Sequence, residues 1–131
     1  MRMAILGMGS VGRGILELID EKDLGLTVTG LADSKSALVD KDGIHIEEVL
    51  AAKRERGFCG DKSLSATDIV ERADYDVLIE VTPTDARTGE PATGFIKKAI
   101  ARGKHVVTSN KGPVALHYAA LQGMAHEHGV A

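Results

Sequence analysis

Along the chain, short unbroken apolar runs alternate with longer stretches whose apolar residues return at helical spacing. The runs Met3–Leu6, Leu26–Ala32, Val77–Val81 and His105–Thr108 are of strand length and bounded by turn or polar residues, which predicts four strands, with Met3–Leu6 and Val77–Val81 of the buried type. After the first run, Val11, Ile15, Leu18 and Ile19 share one helical face, with Arg13, Glu17 and Asp20 opposite. Residues 46 to 56 predict a second helix with Ile46, Val49 and Leu50 inward. Ser65-Ala66-Thr67-Asp68 reads as a capping box for a short helix through Arg72. Pro91 stands at the start of a fourth helix, whose inner face is Ala92, Ile96, Ala99 and Ile100, and Gly103 ends it. A last helix follows, with Leu116, Ala120, Gly123 and Met124 as its buried face, and Gly129-Val130-Ala131 reads as the start of another strand. Strands alternating with helices predict an α/β domain: a doubly wound parallel sheet with helices on both faces. Right-handed crossovers then gather the loops at the strands' carboxyl ends along one edge.

The first of those loops is Gly7-Met8-Gly9-Ser10-Val11-Gly12, set between a predicted strand and a predicted helix. Gly7 would allow the tight turn, Gly9 would let the backbone approach a ligand, and Gly12 would let helix and sheet pack closely. The free N–H groups and positive dipole end at the helix start would attract a pyrophosphate. Glycine turns alone are common, but here the strand-turn-helix context is present on both sides. Asp33 closes the second strand roughly 20 residues past Gly12, where a carboxylate can accept the adenosine ribose hydroxyls. From spacing alone, a turn or cap aspartate is an equal reading. Lys35, two residues on, could take a 2′-phosphate, so NAD and NADP both stay open. Thr82-Pro83-Thr84-Asp85 and Ser109-Asn110-Lys111-Gly112-Pro113 supply two further polar loops on the same edge.

Composition narrows the class. The 131 residues make one domain, 44% hydrophobic and 27% charged, with net charge −3 and no Trp. Scattered cations and scarce aromatics leave no footprint for nucleic acid. No apolar run reaches spanning length and no export signal precedes the first strand, so no membrane is expected. The single cysteine, Cys59, excludes an internal disulfide and fits a reducing cytoplasm. It reads as a loop or edge thiol, with no histidine near it to make it a nucleophile.

Other motifs fail on inspection. Asp40-Lys41-Asp42-Gly43 lacks the remaining ligands of a calcium loop and reads as a turn. Gly60-Asp61-Lys62-Ser63 places Asp where a triphosphate loop needs Gly, and a carboxylate there repels phosphate. Lys53-Arg54-Glu55-Arg56 reads as a solvated helix face. His126 and His128 point to different sides of the helix, and no zinc-type spacing occurs, so no metal is expected.

A family resemblance appears in the later loops. Ile79-Glu80-Val81-Thr82-Pro83-Thr84, Thr88-Gly89-Glu90-Pro91-Ala92 and Gly103 to Leu116, with Asn110-Lys111-Gly112-Pro113 the most specific run, closely resemble the N-terminal half of homoserine dehydrogenase. The Gly7–Gly12 turn and Asp33-Ser34-Lys35 agree with it. The resemblance spans essentially the whole chain and implies a Rossmann-type NAD(P)-binding domain over residues 1–131. It implies interconversion of L-homoserine and L-aspartate 4-semialdehyde by hydride transfer, on the route to threonine, isoleucine and methionine. By the same resemblance Gly7, Met8, Gly9, Ser10, Val11 and Gly12 hold the pyrophosphate, while Asp33, Ser34 and Lys35 meet the adenosine ribose end. Thr82, Pro83, Thr84, Ser109 and Asn110 lie along the nicotinamide half, and Lys111 matches a lysine of the reaction centre.

Such a lysine suits the chemistry, because reducing an aldehyde builds negative charge on its oxygen and a fixed ammonium can stabilise it or pass a proton. Homoserine dehydrogenases continue into a substrate and dimerisation domain, absent from this sequence. The expectation is therefore a chain that binds cofactor with little turnover, and a full-length homodimer in the cytoplasm. Three other readings compete: a non-catalytic NAD(P) sensor, a dehydrogenase of another amino-acid-derived aldehyde or imine, and a methyltransferase-type fold holding S-adenosylmethionine.

Overall fold

The computed structural model describes residues 1–83 and 85–131. Five strands, β1 (Arg2–Leu6), β2 (Thr27–Ala32), β3 (Ala37–Val39), β4 (Val77–Glu80) and β5 (His105–Thr108), form one sheet in the order β3-β2-β1-β4-β5. The helices are α1 (Ser10–Glu21), α2 (Ile46–Arg56), α3 (Ala66–Arg72), α4 (Ala92–Ala101) and α5 (Lys111–Glu127). Strands β2, β1, β4 and β5 are parallel, as the apolar runs predict. The chain leaves β1 toward β2 and later returns to β4 on β1's other side, creating the strand-order reversal where open α/β sheets bind ligands.

Strand β3 departs from the expected pattern. It pairs antiparallel with β2 along the sheet's edge, reached by a tight turn at Asp33–Ser36 instead of a crossover helix. Its three residues are too few to show a period in the sequence.

Alternation along β1 divides the core. Ile5 packs with Leu16, Leu31 and Val49 beneath α1 and α2, whereas Ala4 and Leu6 pack with Ile69, Val70 and Ala99 beneath α3 and α4. The inward faces of α2 and α4 are those the spacing predicts, and α3 begins with the expected Ser65/Asp68 capping box. Arg102 fixes the α3–α4 side by donating to the carbonyls of Val70 and Ala73 at 2.7 and 3.1 Å, over the ring of buried Tyr75.

Two helical faces and one thiol differ from expectation. In α1 the inward residues are Gly12, Ile15, Leu16 and Ile19, while Val11 and Leu18 are exposed, because close packing at Gly12 turns the stripe by one residue. In α5, Leu116, Ala120 and Gly123 are exposed and only Met124 of the predicted face is half-buried. That helix is apolar on several sides, so periodicity could not select the face that leans on α4. Cys59 lies in the core, not at an edge.

Candidate dinucleotide site

The parallel strands end level. Ala32, Leu6, Glu80 and Thr108 stand in one row across β2, β1, β4 and β5. Hydrogen bonds then bind the loops to their neighbours: Gly7 N–H to Ala32 O at 2.8 Å, Val81 N–H to Leu6 O at 2.9 Å, and Ser109 N–H to Glu80 O at 3.3 Å. A cleft of about 660 Å³ runs along this edge, from Ser34 and Lys35 past Gly7–Gly9 to Thr82 and Pro83. That volume suits a cofactor-sized ligand.

The three glycines differ in their surroundings. Gly7 has φ +108°, and a Cβ there would lie 2.6 Å from Val81 O. A Cβ on Gly12 would meet Gly7 O at 1.9 Å, so helix and turn touch at that point. At Gly9 a Cβ would meet nothing within 4 Å. Two glycines thus permit packing and the third leaves room, matching the division of labour in a pyrophosphate turn. Gly9 also begins α1 with no side chain capping the helix start, which leaves first-turn N–H groups for a ligand. Met8 lines the cleft and is buried, while Ser10 and Val11 are exposed in that first turn.

At the other end Asp33 is the hub of the turn. Its Oδ1 accepts from the N–H groups of Lys35 and Ser36 at 2.8 and 2.7 Å and from Ser36 Oγ at 3.1 Å. Its Oδ2 accepts from Cys59 N–H at 2.8 Å and from Lys53 Nζ at 3.0 Å. Burial pushes the carboxyl up, but the Lys35, Lys53, Ser36 and Cys59 donors outweigh it and hold the pKa at about 2. With its side chain only 2% exposed, Asp33 borders the cleft while its lone pairs serve its own chain. Lys35, Lys53 and Lys62 also line the cleft, so its wall here is cationic.

Lys53 and Lys62 were not expected there. Lys53 lies in a run whose composition predicts a solvated face, yet it follows buried Val49 by one helical turn and so points the same way. That spacing was the signal available for it. Lys62 sits in the segment set aside as a failed triphosphate loop, and nothing in the sequence marked it. Burial pushes the Cys59 thiol above its ordinary range, which leaves it unsuited to nucleophilic chemistry.

At the opposite end, Thr82 and Pro83 line the cleft, and Thr84 lies outside the described residues. Ser109, Asn110 and Lys111 stand outside the cleft's walls, but Asn110 is tied to them by Nδ2–H donating to Thr82 O at 2.7 Å. Asn110 is the N-cap residue of α5, and Lys111, exposed, is that helix's first residue. Among the described residues no group of three or more His, Cys, Asp or Glu could hold a metal ion.

A glycine turn at a strand-order reversal, an uncapped helix start and polar loops on one edge define a dinucleotide-binding α/β domain of Rossmann type. Within that class the family is specific: a model of the homoserine dehydrogenase NAD-binding domain matches residues 7–131, and the chain belongs to this family. A homoserine dehydrogenase of Methanocaldococcus jannaschii is 35% identical over 99% of this chain and 42% of its own length. The crystal structure of a putative homoserine dehydrogenase from Archaeoglobus fulgidus superposes with a TM-score of 0.87 at 40% identity, covering 99% of this chain and 40% of that one. A hyperthermophilic archaeal homoserine dehydrogenase in complex with NADPH matches with a TM-score of 0.80 at 26% identity, over 98% of this chain and 42% of that one. The chain thus spans about two-fifths of the length of these relatives.

Proposed function

We propose that this chain is the cofactor-binding part of a homoserine dehydrogenase, the oxidoreductase that interconverts L-homoserine and L-aspartate 4-semialdehyde. The observation that carries the reading is the joint edge: a roomy glycine turn before an uncapped helix start, in one cleft with the Thr82 loop to which Asn110 is tied. The bound nicotinamide dinucleotide supplies the hydride chemistry. The chain's own residues orient it: the N–H groups from Gly9 to Gly12 receive the pyrophosphate, and the Thr82, Ser109 and Asn110 loops flank the nicotinamide end. Lys111 offers its ammonium to the substrate oxygen, where negative charge grows as an aldehyde is reduced.

At the adenosine end the geometry favours NADP. Asp33's acceptor sites are filled by five donors from its own chain, which leaves them poorly placed to take two ribose hydroxyls. Lys35, Lys53 and Lys62 line the same stretch and suit a 2′-phosphate. In this reading Ser34 and Lys35 keep their place at the ribose, and Asp33 holds the turn and Lys53 that present them.

Substrate contacts and the homodimer interface belong, in this reading, to the larger part of such proteins that lies outside the matched stretch. The setting is cytoplasmic amino-acid synthesis toward threonine, methionine and isoleucine.

Calorimetry of the chain with NADPH, NADH and S-adenosylmethionine tests the assignment. Micromolar binding of NADPH, weaker binding of NADH and none of the methyl donor are expected. Absence of dinucleotide binding, or preference for the methyl donor, overturns it.

A further inference from the structure

Glu80 ends β4 in the row with Leu6 and Thr108, and it is 0% exposed. Its carboxylate accepts four hydrogen bonds. Oε1 takes the N–H of Thr82 at 2.9 Å, the Thr82 hydroxyl, and Asn110 Nδ2 at 3.4 Å; Oε2 takes the Thr108 hydroxyl at 2.8 Å. Thr108 Oγ1 in turn accepts the N–H of Asn110 at 3.0 Å. Every one of these donors is neutral, and among the described residues no cationic side chain forms an ion pair with Glu80. A buried carboxylate is costly unless donors satisfy it, and here the donors come from the last residue of β5 and the two loops at one end of the site.

The same network orients Asn110. Its amide nitrogen faces Glu80 Oε1 and Thr82 O, both acceptors only, so the nitrogen and not the oxygen must lie there. The side-chain oxygen of Asn110 is then the atom left to meet a ligand. A buried negative charge and the amide oxygen of Asn110 give this end of the edge a negative potential.

We infer that Glu80 is a positioning residue for the nicotinamide end: it locks Thr82 and Asn110 together, and its charge makes the site hold the oxidised, cationic ring more tightly than the reduced, neutral one. This rests on the dinucleotide reading above and adds a preference between its two redox states. Lys111 adds positive charge nearby, but it is exposed and screened, and it is the same in the wild type and both Glu80 variants tested below.

The test is titration calorimetry of wild type, Glu80→Gln and Glu80→Asp with NADP+, NADPH and 2′-phospho-ADP-ribose, which lacks the ring. If the chain takes NAD, the matched set is NAD+, NADH and ADP-ribose. In Glu80→Gln the affinity for the ringless fragment stays within about twofold, while the ratio of oxidised to reduced affinity falls roughly tenfold. Glu80→Asp keeps the charge and therefore most of the ratio, whatever happens to overall affinity. An unchanged ratio in a Glu80→Gln protein that still binds both dinucleotides overturns the inference and leaves the dinucleotide reading standing. Loss of the ringless fragment together with both dinucleotides also overturns it, by making Glu80 a folding residue. A wild type that binds no dinucleotide sinks the underlying reading first.

Discussion

Lys53 Nζ lies 3.0 Å from Asp33 Oδ2, joining the last turn of α2 to the end of β2. The pair sets what the adenosine end can recognise. Asp33 neutralises part of Lys53 and holds it at the cleft wall, while Lys35 and Lys62 approach the same space. A ligand phosphate there would meet three ammonium groups, and Lys53 could turn from Asp33 to the phosphate without leaving its position.

Lys53→Ala and Lys35→Ala should therefore weaken NADPH binding by about five- to twentyfold each and NADH binding by less than about threefold. Raising the salt from low to physiological levels should narrow the gap between the two cofactors. Equal losses for both would mean that these lysines support the loop without reading a phosphate.

Asp33 also makes stability depend on pH. Its folded pKa, about 2, lies below the ordinary value of 3.8, so the folded state binds this proton less readily than the unfolded chain. The stabilisation is present above pH 4 and is lost as pH falls from about 4 through about 2. After allowance for screening it is on the order of 1–2 kcal/mol. Asp33→Asn should lower stability at pH 7 and flatten the acid limb of the curve, as followed by urea unfolding at several pH values. An acid limb identical to wild type would show that another carboxylate controls it.

The glycines of the first loop separate packing from binding. Gly12→Ala puts a methyl 1.9 Å from a backbone oxygen, and Gly7→Ala combines a 2.6 Å clash with a left-handed φ. Each should destabilise the fold by roughly 3 kcal/mol or more. Gly9→Ala meets open space at φ −75° and should leave the melting temperature within about 2 °C. Its methyl would stand where a pyrophosphate approaches, so NADPH affinity should drop at least about tenfold. A Gly9→Ala protein with unchanged melting and unchanged affinity would move the pyrophosphate elsewhere.

Those glycines also show how much the sequence could reveal. Local chemistry was readable: a positive-φ turn, buried runs such as Val77–Val81, and the Ser65/Asp68 capping box each leave a signature in adjacent residues. The sheet and the glycine turn were therefore foreseeable, and the family's loops marked Thr82 and Asn110. Groups placed by tertiary contact were harder to see. Lys62 reaches the cleft because the 57–63 segment folds back along β3, a strand of three residues with no pattern of its own. In α5, apolar residues on several faces gave no unique inward stripe, and Leu116 came out exposed. Asp33 was singled out by its position and does border the cleft, but spacing could not reveal that five donors of its own chain already surround it.

Lys111 occupies an electrostatically awkward place. It is the first residue of α5, where the positive end of the helix dipole disfavours a cation by roughly 0.3–1 kcal/mol at an exposed site. It is exposed and follows Asn110, whose side chain is fixed by Glu80 and Thr82 O. If the ammonium serves the reacting oxygen, replacing it should affect turnover far more than cofactor binding or stability. Lys111→Ala should keep NADPH affinity within about threefold and raise the melting temperature slightly, by relieving the dipole. Introduced into a full-length homoserine dehydrogenase carrying this segment, it should lower kcat by at least about a hundredfold. Lys111→Arg keeps the charge but alters its shape and its proton exchange, so it should recover only part of the rate. Near-normal turnover by Lys111→Ala would remove the residue from the reaction centre, while the binding reading would stand on the glycine turn and the cleft.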